Sequence, residues 1–425
     1  MKGLYFSGGS LRFHINDDDS IRRLRDALGQ MLQVNQLCLL IGSGASMHLG
    51  LPRIRHVDSA FVRAVCQDAG ATLSADESSL LDALLAHTTD LEEVLFQLVA
   101  AITYAKTLSR TDVEIGENSC SVLQLNELFS RVNAALASAC VLPRAGFTPE
   151  APHDTDPWFT HKEFLRRVLG ARRPDAARTR IFTTNYDTAI EQSLDEAGIY
   201  YLDGFVGSIH RTLNISSYEN DLYFAPNRGR PSIKRVHELV HLYKLHGSVN
   251  WRVGSLPSGF GATRIVQESQ PLQPGERAVI YPTPAKEVDV VGYPYADLLR
   301  VFGASLGDPE CALIVIGYGF ADDHINRLIF QAMTYNSTLQ LFVAVPDGVT
   351  ANEESPERLD TPIGRLSAVN DPRISVLTGE AARFAQFAFA PPDVAERTPA
   401  QQETLQESLA SALLDNMDSQ SEGTL

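Results

Sequence analysis

A chain of 425 residues exceeds what one hydrophobic core usually holds, so one large domain with a sizeable insertion, or two lobes, is expected. Hydrophobic content of 44% with 21% charged residues is ordinary for a soluble globular protein. The net charge of −16 argues against sequence-independent binding to DNA or RNA, which needs cations to displace counterions from phosphates.

The first nineteen residues hold no apolar stretch of secretory length, and the longest apolar runs, 37–41 and 311–316, are too short to cross a bilayer. Cys38, Cys66, Cys120, Cys140 and Cys311 are scattered, with no CxxC pair, so no structural zinc ligand set is expected. These features predict a reduced, cytoplasmic protein without a metal or a membrane anchor.

In chain order, the apolar runs 37–41, 180–184 and 312–317 have the length and β-branched content of buried parallel strands, with further candidates at 339–345 and 374–377. Each of the first three ends in small or polar residues and then a helical pattern. After the second, 188–197 reads as an amphipathic helix with Ile190 and Leu194 on one face. Strand, short turn and helix in repetition predict a Rossmann-like, doubly wound α/β sheet over 30–390. Between the first two strands, 78–105 and 122–139 are rich in Leu, Ala and Glu at helical spacing, with 117–119 separating them. Residues 56–174 therefore read as a helical insertion, broken by a loop at 149–157. An irregular excursion is expected at 214–235. The polar tail 391–425 carries one weak amphipathic stretch at 404–414 and a disordered-looking end.

Four motifs stand where such sheets bind ligands. The first strand runs into Gly42-Ser43-Gly44-Ala45-Ser46 and then Gly50-Leu51-Pro52, a small-residue turn that lets backbone amides approach a phosphate, or that simply makes a tight βα turn. No Gly-Lys-Ser/Thr follows, so it is not a P-loop. The second leads into Thr183-Thr184-Asn185-Tyr186-Asp187, whose amide and carboxylate suit ribose hydroxyls and a carboxamide, or else cap the next helix. His246 lies in Tyr243-Lys244-Leu245-His246-Gly247-Ser248, after an apolar–polar alternation, and a neutral imidazole there suits a general base. His237 and His241, four apart, lack an acidic or cysteine partner at metal spacing and read as surface or packing residues. The third strand ends in Gly317-Tyr318-Gly319-Phe320, with Asp322 and Asp323 in a following helix start, where capping alone could explain the acids. Two glycines at a strand end usually answer a steric demand.

In this order, GSGAS…GLP, TTNYD, LHGS and GYGF…DDHIN resemble the motifs of the sirtuin superfamily, and look closest to its bacterial anti-phage defence branch. The stretches IFTTNYDTAIE, DGFVGSIHRT, LYKLHGSVNW, VIYP and GYGFADDHINRLI are similar to the sirtuin-like subunit that works with a HerA-type ATPase. The resemblance implies a sirtuin-like NAD-binding catalytic domain, cleavage of NAD to nicotinamide and ADP-ribose, a homo-oligomer, and assembly with a HerA-type ATPase hexamer. Carried over by position, Gly42, Ser43, Gly44, Ala45 and Ser46 line the diphosphate and adenosine side. Asn185 contacts the nicotinamide ribose and positions water, and Asp187, beside Thr184, holds the carboxamide. His246 is the base, while Gly317, Tyr318 and Gly319 close around the adenine ribose.

Two departures from deacetylating sirtuins bear on the reaction. Their four-cysteine zinc module lies between the His-Gly motif and the third glycine turn, where this chain has only Cys311. Their Asp-Phe-Arg run is matched here by Arg53, Ile54 and Arg55. Both favour water as acceptor, hence NAD glycohydrolysis. The alternatives are an NAD- or ADP-ribose-binding regulatory subunit without turnover, or an ADP-ribosyltransferase or deacylase.

Overall fold

The computed structural model describes residues 2–51, 60, 62–64, 73–88, 91–116, 118–143, 156–226, 233–254, 264–268, 278–280, 293–346 and 361–393. Arg53, Ile54, Arg55, Cys66, most of the expected 149–157 loop and the tail beyond Asp393 lie outside the described residues.

Nine strands make the main sheet: β1 (Gly3–Ser7), β2 (Ser10–Ile15), β3 (Gln36–Ile41), β4 (Thr179–Thr183), β5 (Tyr200–Leu202), β6 (Leu239–Lys244), β7 (Cys311–Ile316), β8 (Gln340–Ala344) and β9 (Ile374–Gly379). Their order is β2-β1-β9-β8-β7-β3-β4-β6-β5. From β9 to β5 every pairing is parallel. The hairpin β1–β2 joins antiparallel to β9. All five apolar runs picked from the sequence are strands of this sheet.

Those runs are continuous rather than alternating because both faces of the sheet are covered. Cys38, Leu40, Leu313 and Val315 point into one core with helices α7 (Tyr295–Gly307) and α8 (Asp323–Tyr335). Leu37, Leu39, Ile41, Ala312, Ile314 and Ile316 point the other way, onto α1 (Asp18–Leu32), α5 (Phe159–Gly170) and α6 (Ala189–Ala197). Period-two alternation thus serves two cores at once.

Between β3 and β4 the chain forms α2 (Ala75–Leu85), α3 (Leu91–Thr107) and α4 (Val122–Ala139) before α5. Within the separator, the described residues Asn118–Ser121 pair antiparallel with Asp112–Ile115 rather than forming a bare loop. Ser121 ends this pairing and also caps α4, sharing a capping box with Gln124. These helices bury a third core that also takes in Leu49, Leu51, Tyr186, Ala189 and Val249. The lobe therefore rests on the segments that follow β3, β4 and β6. A small antiparallel sheet, built from Phe205–Val206, Arg211–Leu213, Gly247–Gly254, Arg264–Gln267 and Ala278–Ile280, follows from β5 and β6. Its Trp251 and Ile265 join the α7–α8 core. The 214–235 excursion holds a 3-10 turn, Ile215–Glu219, and the pair Tyr223–Phe224 with Lys234–Arg235. Among the described residues no helix is long and apolar enough to cross a membrane.

β3 is central. The chain steps from it to β4 on one side and much later returns as β7 on the other. Such a reversal of strand order opens a crevice at the carboxyl ends of the strands.

Candidate active site

The four sequence motifs all emerge at that carboxyl edge, and hydrogen bonds stitch their backbones together. Gly44 N–H donates to Gly317 O at 3.0 Å, and Gly42 N–H to Ile316 O at 2.9 Å. Leu245 N–H donates to Thr183 O at 2.9 Å, and Thr184 N–H to Ile41 O at 3.2 Å. Val249 N–H and the Ser248 hydroxyl both reach Tyr186 O, at 3.0 and 3.2 Å.

Three glycines are needed for this approach. A Cβ on Gly42 would lie 2.6 Å from Gly317 O, and one on Gly44 would lie 2.8 Å from Gly317 Cα. Gly317 has φ of +63°, and its Cβ would fall 2.5 Å from Ala45 N. The glycines of the two turns thus answer each other's backbone, and the amides of Gly42 and Gly44 are already spent on it. Ala45 and Ser46 N–H close the 3-10 turn onto Gly42 O and Ser43 O, both at 3.0 Å. Gly319 differs: a Cβ there would meet nothing within 4 Å, so its small size leaves open space. The Tyr318 ring turns into the core, with its hydroxyl 3.1 Å from Asp322 O and 3.0 Å from Asn326 Oδ1.

Asn185 and Asp187 are buried just past the carboxyl end of β4, 5% and 2% exposed. The Asn185 amide nitrogen donates to Ser46 Oγ at 3.1 Å, tying the second motif to the first. Its Oδ1 is buried with no hydrogen-bond partner. Asp187 Oδ1 accepts Ala189 N–H at 2.9 Å, the capping role the sequence allowed, while Oδ2 is buried without a partner. An unsatisfied buried acceptor costs on the order of 1–3 kcal/mol. Two of them, two residues apart at the carboxyl edge of the sheet, are acceptors open to the donors of a ligand.

Beneath Asp187 lies a pair that the sequence reading passed over. Lys244, the last residue of β6, donates from Nζ to Asp187 O and to Glu191 Oε1, the latter at 2.9 Å, with both side chains nearly enclosed. Burial pushes the Glu191 carboxyl up, and the Lys244 cation opposes it. The pair fixes the main chain of TTNYD against β6.

His246 follows β6 and is one-fifth exposed; its Nε2 lies 3.1 Å from Asp322 Oδ2. Asp322 is also the N-cap of α8, where Oδ1 accepts the amides of His324 at 2.9 Å and Ile325 at 3.3 Å. The capping read from the sequence is therefore real, and a second role accompanies it. No sequence signal joined Asp322 to His246. Phe320, at φ +54°, turns the chain toward that helix start, and Asn326 Nδ2 holds its carbonyl at 2.9 Å. A left-handed aromatic residue stores roughly 1–3 kcal/mol of strain, which surrounding contacts must offset.

His241 is buried in β6 against Tyr218 and Tyr243, and His237 is exposed, so neither belongs to the cluster. Among the described residues no group of three or more His, Cys, Asp or Glu could hold a metal ion.

The sheet and its cluster define a doubly wound α/β protein with a polar site at the topological switch point. Residues 179–362 match the family model of the SIR2-like domain. That segment runs from β4 into the helix Pro362–Ser367 and contains the Asn185, His246 and Gly317 turns, but not the Gly42 turn. Among solved structures, the chain is similar to one described as the crystal structure of a SIR2 homolog–NAD complex. Identity there is 12%, with 85% of this chain and 91% of the other covered, and a TM-score of 0.39. Among curated proteins none matches.

Proposed function

We propose that this chain is an NAD glycohydrolase, cleaving NAD to nicotinamide and ADP-ribose. The observation that carries the reading is the pair of buried, partnerless acceptors, Asn185 Oδ1 and Asp187 Oδ2, in the crevice that also bears His246. The motif resemblance and the SIR2-like match over 179–362 point the same way.

In this reading, NAD is the substrate. Asp187 accepts the carboxamide N–H of nicotinamide. Asn185 Oδ1 accepts from a ribose hydroxyl or from the attacking water, its amide nitrogen being held by Ser46. His246 withdraws a proton as water attacks C1′ and the C1′–N bond breaks. Nicotinamide leaves as a neutral base from a cationic linkage, so no strong acid is needed. Orientation and proton removal are the protein's contribution. Ser43, Gly44, Thr184 and Gly319 border the route for the rest of the dinucleotide.

An enzyme of this kind must be held in check in its host. We therefore place it in an anti-phage system, as a homo-oligomer controlled by a HerA-type ATPase hexamer, a role that rests on the motif resemblance. The helical lobe packs on Leu49, Tyr186 and Val249, so a partner gripping the lobe would act on the site's own supports.

The test is nicotinamide release from NAD by the purified chain, alone and with the ATPase. Asn185→Ala should abolish release with the thermal midpoint held within a few degrees, and His246→Ala should slow it about a hundredfold or more. Full cleavage by a folded Asn185→Ala protein would sink the assignment. Tightly bound but unconsumed NAD in all conditions would favour a binding subunit. Label transferred from NAD to protein or nucleic acid would favour a transferase.

A further inference from the structure

We infer that Asp322 is the positioning residue of His246, acting through Nε2 of the imidazole. This deepens, and rests on, the hydrolase reading. The carboxylate presents two oxygens with separate duties. Oδ1 takes the first amides of α8, and Oδ2 faces His246 Nε2 at 3.1 Å. Its place is over-determined: the Tyr318 hydroxyl accepts the Asp322 amide at 3.3 Å and sits beside its carbonyl, while Asn326 ties both Tyr318 and Phe320. The glycine-bearing turn after β7 thereby delivers a carboxylate that is fixed before any substrate arrives.

An acceptor held against Nε2 selects the imidazole tautomer that carries its proton there. It leaves the lone pair on Nδ1, the nitrogen then available to take a proton. Among the described residues Asp322 is the only carboxylate within ion-pair distance of His246. Tyr186 is its aromatic neighbour, with ring centroids 6.4 Å apart, and Lys244 two residues earlier is committed to Glu191. When His246 holds the transferred proton, the same carboxylate still faces the ring at Nε2. The capping bonds keep Oδ2 from following the ring away.

The experiment compares Asp322→Asn with Asp322→Ala. Asn retains the helix cap but not the charge, and Ala loses both. With ¹⁵N-labelled histidine, and the His246 signals assigned through His246→Gln, the imidazole shifts at about pH 8.5, where an ordinary histidine is neutral, report which nitrogen bears the proton. Wild type should show predominantly the Nε2–H form, and Asp322→Asn should lose that preference while keeping its circular dichroism and thermal midpoint. On NAD, Asp322→Asn should lower kcat about tenfold or more with KM within about twofold, since the defect lies in proton transfer rather than binding. An unchanged tautomer in Asp322→Asn, or an unchanged kcat, overturns the assignment. If wild type cleaves no NAD, the hydrolase reading fails and the tautomer result alone decides the dyad. If Asp322→Ala loses stability while Asn does not, the cap and the tautomer roles are separated as the geometry requires.

Discussion

Gly317 and Gly319 stand two residues apart in one turn, yet their surroundings ask opposite things of them. Gly317 has a left-handed backbone and would drive a Cβ into Ala45 N at 2.5 Å. Gly317→Ala should therefore destabilise the protein by roughly 2–5 kcal/mol, combining the left-handed penalty with overpacking against a backbone that cannot yield. Chemical denaturation measures it, and a loss under about 1 kcal/mol would mean the two turns can part. Gly319→Ala meets no protein atom within 4 Å and should leave stability within about 0.5 kcal/mol. If its open space is where the dinucleotide runs, KM for NAD rises several-fold. Unchanged KM and kcat would remove Gly319 from the binding surface. The sequence showed two glycines at a strand end; which one faces backbone and which faces space depends on the Gly42–Gly44 turn, residues remote in the chain.

At the scale of elements, β6 is the instructive strand. Its residues LVHLYK read as an apolar–polar alternation, whereas all six are buried. One side is closed by Tyr218, whose ring stacks on Tyr243 at 4.0 Å and whose hydroxyl donates to Leu242 O at 2.9 Å. A lysine in such a strand is admissible only because Glu191 of α6 and the Asp187 carbonyl meet its Nζ. Lys244→Met should cost about 3–5 kcal/mol, because it strands the Glu191 carboxyl in the interior. The double variant Lys244→Met, Glu191→Leu should recover most of that loss, and a double-mutant cycle in urea measures the coupling. A loss in the double variant equal to the sum of the two single losses would show that no coupling exists. Strands β3, β4, β7, β8 and β9 were legible as apolar runs because both their faces are covered. The β1–β2 hairpin was not, since β2 lies at the sheet edge with exposed and half-buried side chains alternating. Nor was the pairing of Asp112–Ile115 with Asn118–Ser121, hidden within helix-rich sequence. Asn185, Asp187 and His246 were legible from their place after strands, but Asp322 already had a sufficient local explanation as a cap.

Across the whole molecule, the site's first turn is coupled to the far end of the described chain through buried aromatic rings. His48 stacks on His161 of α5 with centroids 5.1 Å apart, and His161 packs on Phe384 at 4.7 Å, which in turn meets Phe164 at 5.4 Å. Neither imidazole nitrogen of His161 has a hydrogen-bond partner. Burial lowers His48 to about 4, and burial together with the neighbouring His48 lowers His161 well below the usual histidine range. Both rings are therefore neutral in the folded protein at pH values where the unfolded chain already binds protons. Their depressed folded values mean that stability is full above about 6.5 and is lost as pH falls toward about 4. The paired carboxylates with lowered values, such as Asp221 and Asp371, act below their ordinary 3.8, and the raised Glu191 carboxyl acts in the opposite sense, so the loss on acidification from neutral pH belongs to the histidines. His48→Phe keeps a ring in the stack and removes one titration. It should reduce the stability lost between pH 7 and pH 5 by about 2 kcal/mol, from 1.36 kcal/mol per pH unit over about 1.5 units. Urea midpoints at the two pH values measure the change, and a pH dependence identical to wild type would show that His48 is protonated in the folded state. Because His48 lies two residues beyond Ser46, which holds Asn185, acid that opens this stack should slacken that contact before the sheet itself gives way. Amide hydrogen exchange at pH 5 should then rise first across 42–50 and 380–390, and exchange that rises uniformly over the sheet would contradict that order.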